Sequence, residues 1–237
     1  MQNDISGMLL FDKPEGWTSF KAVNKIRKIL NIKKAGHCGT LDPSATGLLL
    51  VLTGTSTKLQ NKFMKQDKVY LSTFLLGTIT DSGDLDGNII EKNEVKDINL
   101  EKVIKAADCF KGEIEQIPPM YSALKHKGKK LYELAREGIT VERKPRKVTI
   151  KNIDIISFDG INVEVRVECT SGTYIRTLAE DIGKILGCGA AVSRLRREKI
   201  GNFSVDDAMK ESGLENTDLI IKNIISIEDL NGMTNEK

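Results

Sequence analysis

Paired cysteines, clustered histidines and long apolar runs are all missing from this chain, and each absence removes a class of protein. The four cysteines, Cys38, Cys109, Cys169 and Cys188, are scattered without a C-x-x-C pair, and there are only 2 histidines. That leaves no ligand set at metal-binding spacing and no disulfide framework, so no metal or cofactor is expected and the thiols should stay reduced, as in a cytoplasmic protein. No apolar stretch approaches the roughly 20 residues needed to cross a bilayer, and the N-terminus has no charged segment leading into an apolar core. Neither secretion nor membrane insertion is expected. With 237 residues, one or two domains can still bury a substantial core without a staple.

A strong overall charge is also lacking. The net value is only +3, so composition alone argues little for nucleic acid. Distribution argues more. Between Lys125 and Lys151, 10 lysines and arginines meet 3 acids, Glu133, Glu137 and Glu142, and such a block draws phosphates by releasing their counterions. Tyr121, Tyr132 and several leucines interleave with the charges, which predicts a folded insertion over about 120–147 rather than a tail.

Met8 to Phe11 and Leu48 to Leu52 read as buried strands, Val69 to Leu76 as an alternating one. Val148 to Phe158 and Asn162 to Cys169 form a hairpin around Asp159-Gly160. Thr18 or Ser19 can cap a helix whose inner face would carry Phe20, Val23, Ile26, Ile29 and Leu30. Further helices are expected over Leu100 to Phe110 and Thr173 to Leu186, the latter with Tyr174, Leu178, Ile182 and Ile185 on one face and stopped by Gly187. Short helices near Val205 to Lys210 and Asp218 to Ile224 come next, with frayed polar residues after Leu230. Without a regular β-α-β alternation, an α+β domain on a mixed, largely antiparallel sheet flanked by helices is favoured.

The run from Gly36 to Leu49, G-H-C-G-T-L-D-P-S-A-T-G-L-L, gathers turn residues around one carboxylate, Asp42, and then enters an apolar strand. Pro43 keeps Asp42 out of helical conformations, and the glycines permit close approaches. As a nucleotide loop it fails, because no Lys-Ser or Lys-Thr follows the glycines. The string closely resembles the catalytic motif of the TruB family of pseudouridine synthases, which isomerise a uridine in the T loop of tRNA. Other segments resemble that family in the same order: D-K-P-E-G-W-T-S at Asp12, K-V-Y at Lys68, I-P-P-M-Y-S-A-L-K at Ile117, G-K-K-L-Y-E-L-A-R at Gly128, S-G-T-Y-I-R-T-L-A-E-D-I-G at Ser171 and S-R-L-R-R at Ser193.

The resemblance implies the pseudouridine synthase fold with an inserted RNA-binding thumb. It makes Asp42 the catalytic carboxylate, Arg176 its partner and Tyr70 the residue stacked on uracil. Leu195, taken as helical, becomes an apolar wall of the uracil pocket, and Tyr174 a further substrate contact. His37 would enter the opened base stack. Lys13 and the thumb residues Lys129, Lys130, Arg143 and Lys144 would grip the RNA backbone. The partner is then tRNA through its T-loop and stem, with a monomer, no membrane and no obligatory protein partner expected. A non-catalytic tRNA-binding chaperone on the same fold is the alternative. Lys21 stands where the family often has aspartate, and the chain stops soon after I-S-I-E-D-L at Ile225, without room for the C-terminal PUA-type domain of many relatives. One catalytic domain over 1–237 is therefore expected.

Overall fold

The computed structural model describes residues 5–232, which divide into two compact units, residues 5–68 with 196–232 and residues 69–195. The first unit opens with β1 (Gly7–Lys13), α1 (Ser19–Ile29), β2 (Ala35–His37), β3 (Thr46–Thr53) and the short α2 (Gln60–Met64). The run G-L-L-L-V-L makes β3 a strand covered on both faces, buried at every position after Thr46. β1 lies antiparallel to it in unbroken register, Gly7 opposite Thr53 through Lys13 opposite Gly47. β2 is also antiparallel to β3 at that strand's far end, His37 opposite Val51.

Thr18 caps α1, its side chain accepting from the Lys21 N–H at 3.0 Å, a contact worth about 1 kcal/mol. Ala22, Val23, Ile26 and Leu30 pack on Phe11, Trp17, Leu49 and Val51. Phe20, expected on that inner face, is instead 71% exposed. Ser19 takes the inward position and hydrogen-bonds Leu41, which turns Phe20 outward by about 100°.

The second unit contains β4 (Lys68–Leu76), β5 (Thr78–Thr80), β6 (Ile89–Lys92), α3 (Leu100–Asp108), β7 (Gly112–Gln116), β8 (Lys125–His126), β9 (Lys129–Lys130), α4 (Leu131–Arg136), β10 (Arg146–Phe158), β11 (Asn162–Cys169), α5 (Ile175–Leu186) and most of β12 (Ala190–Ile200). Its strand order is β12-β4-β11-β10-β7. Burial alternates residue by residue along β4, as in a strand with one packed face. On that face Phe74, Val165 and Val167 meet Val103 and Ala106 of α3 and Leu178 and Ile182 of α5. α5 ends where Gly187 adopts φ 80°, a left-handed position that suits glycine. Ile185, expected inward, is exposed, and Tyr174 precedes the first turn.

The thumb is a hairpin, β8 and β9, turned by Lys127 and Gly128 with φ values of 47° and 91°, followed by α4, whose Leu131 and Leu134 are buried. β12 departs most from expectation. Leu195 lies on a strand, not a helix. Ala, Arg, Glu and Lys favour helix intrinsically, but ladder pairing and packing override that preference.

The chain then completes the first unit with β13 (Phe203–Ser204), α6 (Thr217–Lys222), β14 (Ile224–Ser226) and α7 (Ile227–Gly232). β14 joins β1 antiparallel, and Arg196 and Arg197 of β12 pair in parallel with Thr46 and Gly47. Of the helix expected over Val205 to Lys210, a single 3-10 turn forms at Val205–Asp207. Residues Asn231 and Gly232 still belong to α7, while the rest of the tail lies outside the described residues. Among the described residues no helix is long and apolar enough to cross a membrane.

Candidate active site

Both ends of the loop that carries Asp42 are tied to β3. It leaves β2 beside Val51, with the Cys38 N–H donating to the Leu50 carbonyl at 3.0 Å, and returns into β3 at Thr46. Between those anchors the Ala45 N–H donates to the Asp42 carbonyl and the Gly16 N–H to the Pro43 carbonyl. Two buried cations hold the rest of the backbone. Lys13 Nζ donates to the carbonyls of Trp17 at 2.6 Å, Pro14 at 3.0 Å and Pro43 at 3.2 Å. Arg197 donates to those of Leu48 at 2.8 Å, Gly39 at 3.1 Å and Thr40 at 3.4 Å. At Gly47 (φ 102°) a Cβ would fall 2.3 Å from the Arg197 carbonyl, so only glycine lets β12 approach there.

Electrostatics follow from that burial. Lys13 is fully buried, and desolvation lowers its pKa to about 8; Asp42 opposes the shift and Arg197 adds to it. Lys13 was expected to grip RNA. Its ammonium is closed off from solvent and bonded to three carbonyls, so it secures the Asp42 loop instead. His37 is held below its usual pKa by burial and then by Arg197, against a hydrogen bond with the Gly39 backbone, and is therefore neutral near pH 7. Burial pushes the Cys38 thiol up to about 12, which leaves it without nucleophilic character. Asp42 itself is half-buried.

On the opposite side of β12 from Arg197, as strand periodicity requires, Arg196 clamps Asp12 in a two-pronged pair at 3.0 and 2.8 Å. Lys21 and Lys25 place their ammonium groups 4.7 and 5.0 Å from the Trp17 ring.

In the second unit Arg176 is buried in the first turn of α5, where the helix dipole disfavours a cation. Its guanidinium donates to the carbonyls of Ser82 at 2.7 Å and Tyr121 at 2.6 Å, and Asp84 lies 3.5 Å away. Asp84 is fixed in turn by the Ser82 hydroxyl at 2.5 Å. The Tyr174 backbone is locked on both sides by Gln116, which accepts its N–H at 3.0 Å and donates to its carbonyl at 3.2 Å. Tyr70 is 9% exposed, and Leu195 packs against the same apolar cluster.

The thumb cations divide. Arg143 donates to the carbonyls of Val141 and Pro118, so it braces the thumb rather than presenting an unbonded fork. Lys130 leans on Tyr132, and Lys129 forms an exposed pair with Glu137 at 3.4 Å, weak at such a surface. Lys144 is exposed.

The structure therefore joins Asp42, Lys13 and His37 through Arg197 in one unit, and Tyr70 with Leu195 in the other. Sequence reasoning assigned nothing to Arg197 or Asp84. Arg197 lies in the quoted string S-R-L-R-R and Asp84 in the run D-S-G-D-L-D at Asp81, but adjacent arginines and clustered aspartates do not reveal which side chain turns inward.

Residues 27–175 match the model of the TruB family pseudouridylate synthase N-terminal domain, and residues 176–231 that of the tRNA pseudouridylate synthase B C-terminal domain. The chain is 64% identical to a tRNA pseudouridine synthase B of Endomicrobium trichonymphae over 95% of its own length and 98% of that protein's. It is 48% identical to a tRNA pseudouridine synthase B of Chromobacterium violaceum, over 91% of this chain and 70% of the relative. A chain of a Cbf5-Nop10-Gar1 complex is similar with a TM-score of 0.74 at 30% identity, covering 94% of this chain, which spans 60% of that one. A chain of an H/ACA RNP bound to a substrate RNA containing 2′-deoxyuridine gives 0.71 at 27% identity, over the same shares. With two matched segments running without a gap from residue 27 to 231, the chain belongs to the TruB family of pseudouridylate synthases.

Proposed function

We propose that this protein is a tRNA pseudouridine synthase that isomerises the T-loop uridine at position 55, working as a monomer in the cytoplasm without a cofactor. The observation that carries this reading is the setting of Asp42, a half-buried carboxylate on a loop whose backbone is gripped by buried Lys13 and Arg197. Similar proteins bearing the name tRNA pseudouridine synthase B supply the substrate class.

The reaction breaks the bond between ribose carbon 1′ and N1, turns the uracil, joins carbon 5 to carbon 1′, moves a proton off carbon 5 and leaves one on N1. No electrons are gained or lost. The target base must first leave its stack, and a neutral His37 can enter the gap without carrying a charge into it. Ionised Asp42 then attacks carbon 1′, adds to carbon 6 or abstracts the 2′ proton. Arg176, Tyr70 and Leu195 take the roles the resemblance gives them, as the cation that supports the carboxylate, the stacking face and the apolar wall. Tyr174 adds a substrate contact, and exposed thumb lysines hold phosphates. A non-catalytic RNA chaperone would have no use for a carboxylate so firmly positioned.

The test is direct. Purified protein is incubated with an unmodified tRNA transcript and pseudouridine is mapped along it. Product at the T-loop uridine is expected, and none at any uridine overturns the reading.

A further inference from the structure

The insertion that carries the thumb leaves the sheet at Gln116, the last residue of β7, and returns at Arg146, the first of β10, and those two residues stand opposite each other in the ladder. Gln116 is 2% exposed, and its side chain reaches away from that ladder to the start of α5. There Oε1 accepts the Tyr174 N–H at 3.0 Å and Nε2 donates to the Tyr174 carbonyl at 3.2 Å. The amide thus pairs with that backbone as a residue of a neighbouring strand would. It can do so because it holds a donor and an acceptor side by side, which a carboxylate or an ammonium does not.

Tyr174 depends on that pairing. It precedes α5 in an extended conformation (φ −103°, ψ 110°) and gives the helix no side-chain cap, so the direction in which the chain enters the helix is set from outside it. Two residues on is Arg176, whose guanidinium donates to the Tyr121 carbonyl. The segment from Gln116 to Tyr121 is therefore fastened to α5 at both ends, by its first side chain and by its last carbonyl. Between those ends the Pro118 carbonyl accepts from Arg143 at 3.1 Å, on the arm by which the thumb returns. Pro118 and Pro119 fix their own φ and restrict the residues before them, so the segment is a stiff strap that carries a shift at one end to the other. We propose that Gln116 is a positioning residue, which sets Arg176 by holding this strap against the start of α5 and so ties the root of the thumb to the cation assigned to Asp42. The inference rests on the reading of the chain as a pseudouridine synthase and adds how the thumb and that cation are kept in one register.

The readouts are single-turnover pseudouridine formation on a saturating unmodified tRNA transcript, and amide hydrogen exchange of the free protein. Gln116→Met keeps the length and offers neither polar group, and should slow the reaction about tenfold at temperatures where the variant is folded. Gln116→Asn keeps the amide but falls short of Tyr174, and it carries the same expectation if the methionine variant does not fold. The loss should all but vanish beside Arg176→Lys, the double variant reacting at the rate of Arg176→Lys alone, because both changes act through one guanidinium. In exchange, the amides of Ile117, Met120 and Tyr121 and those of the first turn of α5 should open faster together in the Gln116 variant. A wild-type rate in a folded variant, a loss that adds in full to that of Arg176→Lys, or unchanged exchange in α5 overturns the proposal. Absence of product from the unsubstituted protein removes the enzymatic reading alone, and exchange then decides the strap: faster opening of both segments upholds it, and opening of the thumb root by itself overturns it.

Discussion

Each unit buries an arginine among backbone carbonyls, but among the described residues the second alone sets a well-buried acid against it. Arg176 is held by the Ser82 and Tyr121 carbonyls with Asp84 at 3.5 Å, both side chains nearly inaccessible. In the first unit Lys13 and Arg197 bond to six carbonyls between them, and the carboxylate that acts on Lys13, Asp42, is only half-buried. A buried cation matched by a buried acid is a fastening whose loss leaves a stranded charge. In the first unit the buried cations instead hold, through its backbone carbonyls, the loop that carries a partly exposed acid.

The largest expected effect separates those two arrangements. Asp42→Asn should lower single-turnover pseudouridine formation by about 10³-fold or more while tRNA affinity stays near wild type; substantial activity in this variant would end its catalytic role. Next come the arginines. Arg197→Met strips donors from the loop carbonyls of Gly39 and Thr40 and the β3 carbonyl of Leu48, and should cost about 3 kcal/mol in denaturant unfolding and about 100-fold in rate at temperatures where the variant is folded. Arg176→Lys keeps the charge and loses the planar fork, so a severe loss of rate is expected together with weaker tRNA binding, because Arg176 also fastens Tyr121 at the base of the thumb. Equal, purely structural losses in both variants would erase the contrast.

Tyr70→Phe keeps the ring and loses the hydroxyl. It should slow product formation about tenfold while affinity changes little, and full activity would restrict Tyr70 to stacking. Lys13 adds a pH signature. Its folded pKa of about 8 lies below the ordinary value of 10.5, so the buried charge penalises the fold fully below pH 8, and that penalty is relieved as pH rises toward 10.5. Over the same window the loop loses its ammonium and Asp42 its neighbouring cation. Rate should therefore fall above pH 8 while the Lys13 contribution to stability rises, and a rate flat from pH 7 to 10 would show that the ammonium does not support Asp42. The smallest effects belong to the thumb. Lys129→Gln and Lys144→Gln should each reduce the slope of log affinity against log salt by about 1; Arg143→Gln should instead loosen the Pro118 contact, seen as faster proteolysis of the thumb.

Much of this was legible in the sequence wherever local pattern and burial agreed. The β10–β11 hairpin was read around Asp159-Gly160, and it forms there with the alternating Val163, Val165 and Val167 buried. The helix after Thr18 was placed by its cap. Its inner face was misread at Phe20, because an inward serine that hydrogen-bonds Leu41 carries no hydrophobic signal. The Asp42 loop could be recognised as a string, but nothing in it announced that its backbone is held from β1 and β12, far away in sequence.

Local chemistry in the chain determined most of the elements, the turn at Asp42-Pro43, the basic thumb and the family. Those depend on backbone preferences and side-chain periodicities confined to neighbouring residues. Only the tertiary structure decided that Lys13 and Arg197 face inward, that β12 is a strand, that Arg143 braces rather than reaches out, and that Phe20 stands uncovered. Each depends on which carbonyls and apolar faces meet after long stretches of chain have closed, and solvation then assigns the role. A lysine at the surface keeps its charge available to a phosphate, whereas the same side chain, stripped of water and bonded to three carbonyls, is part of the frame.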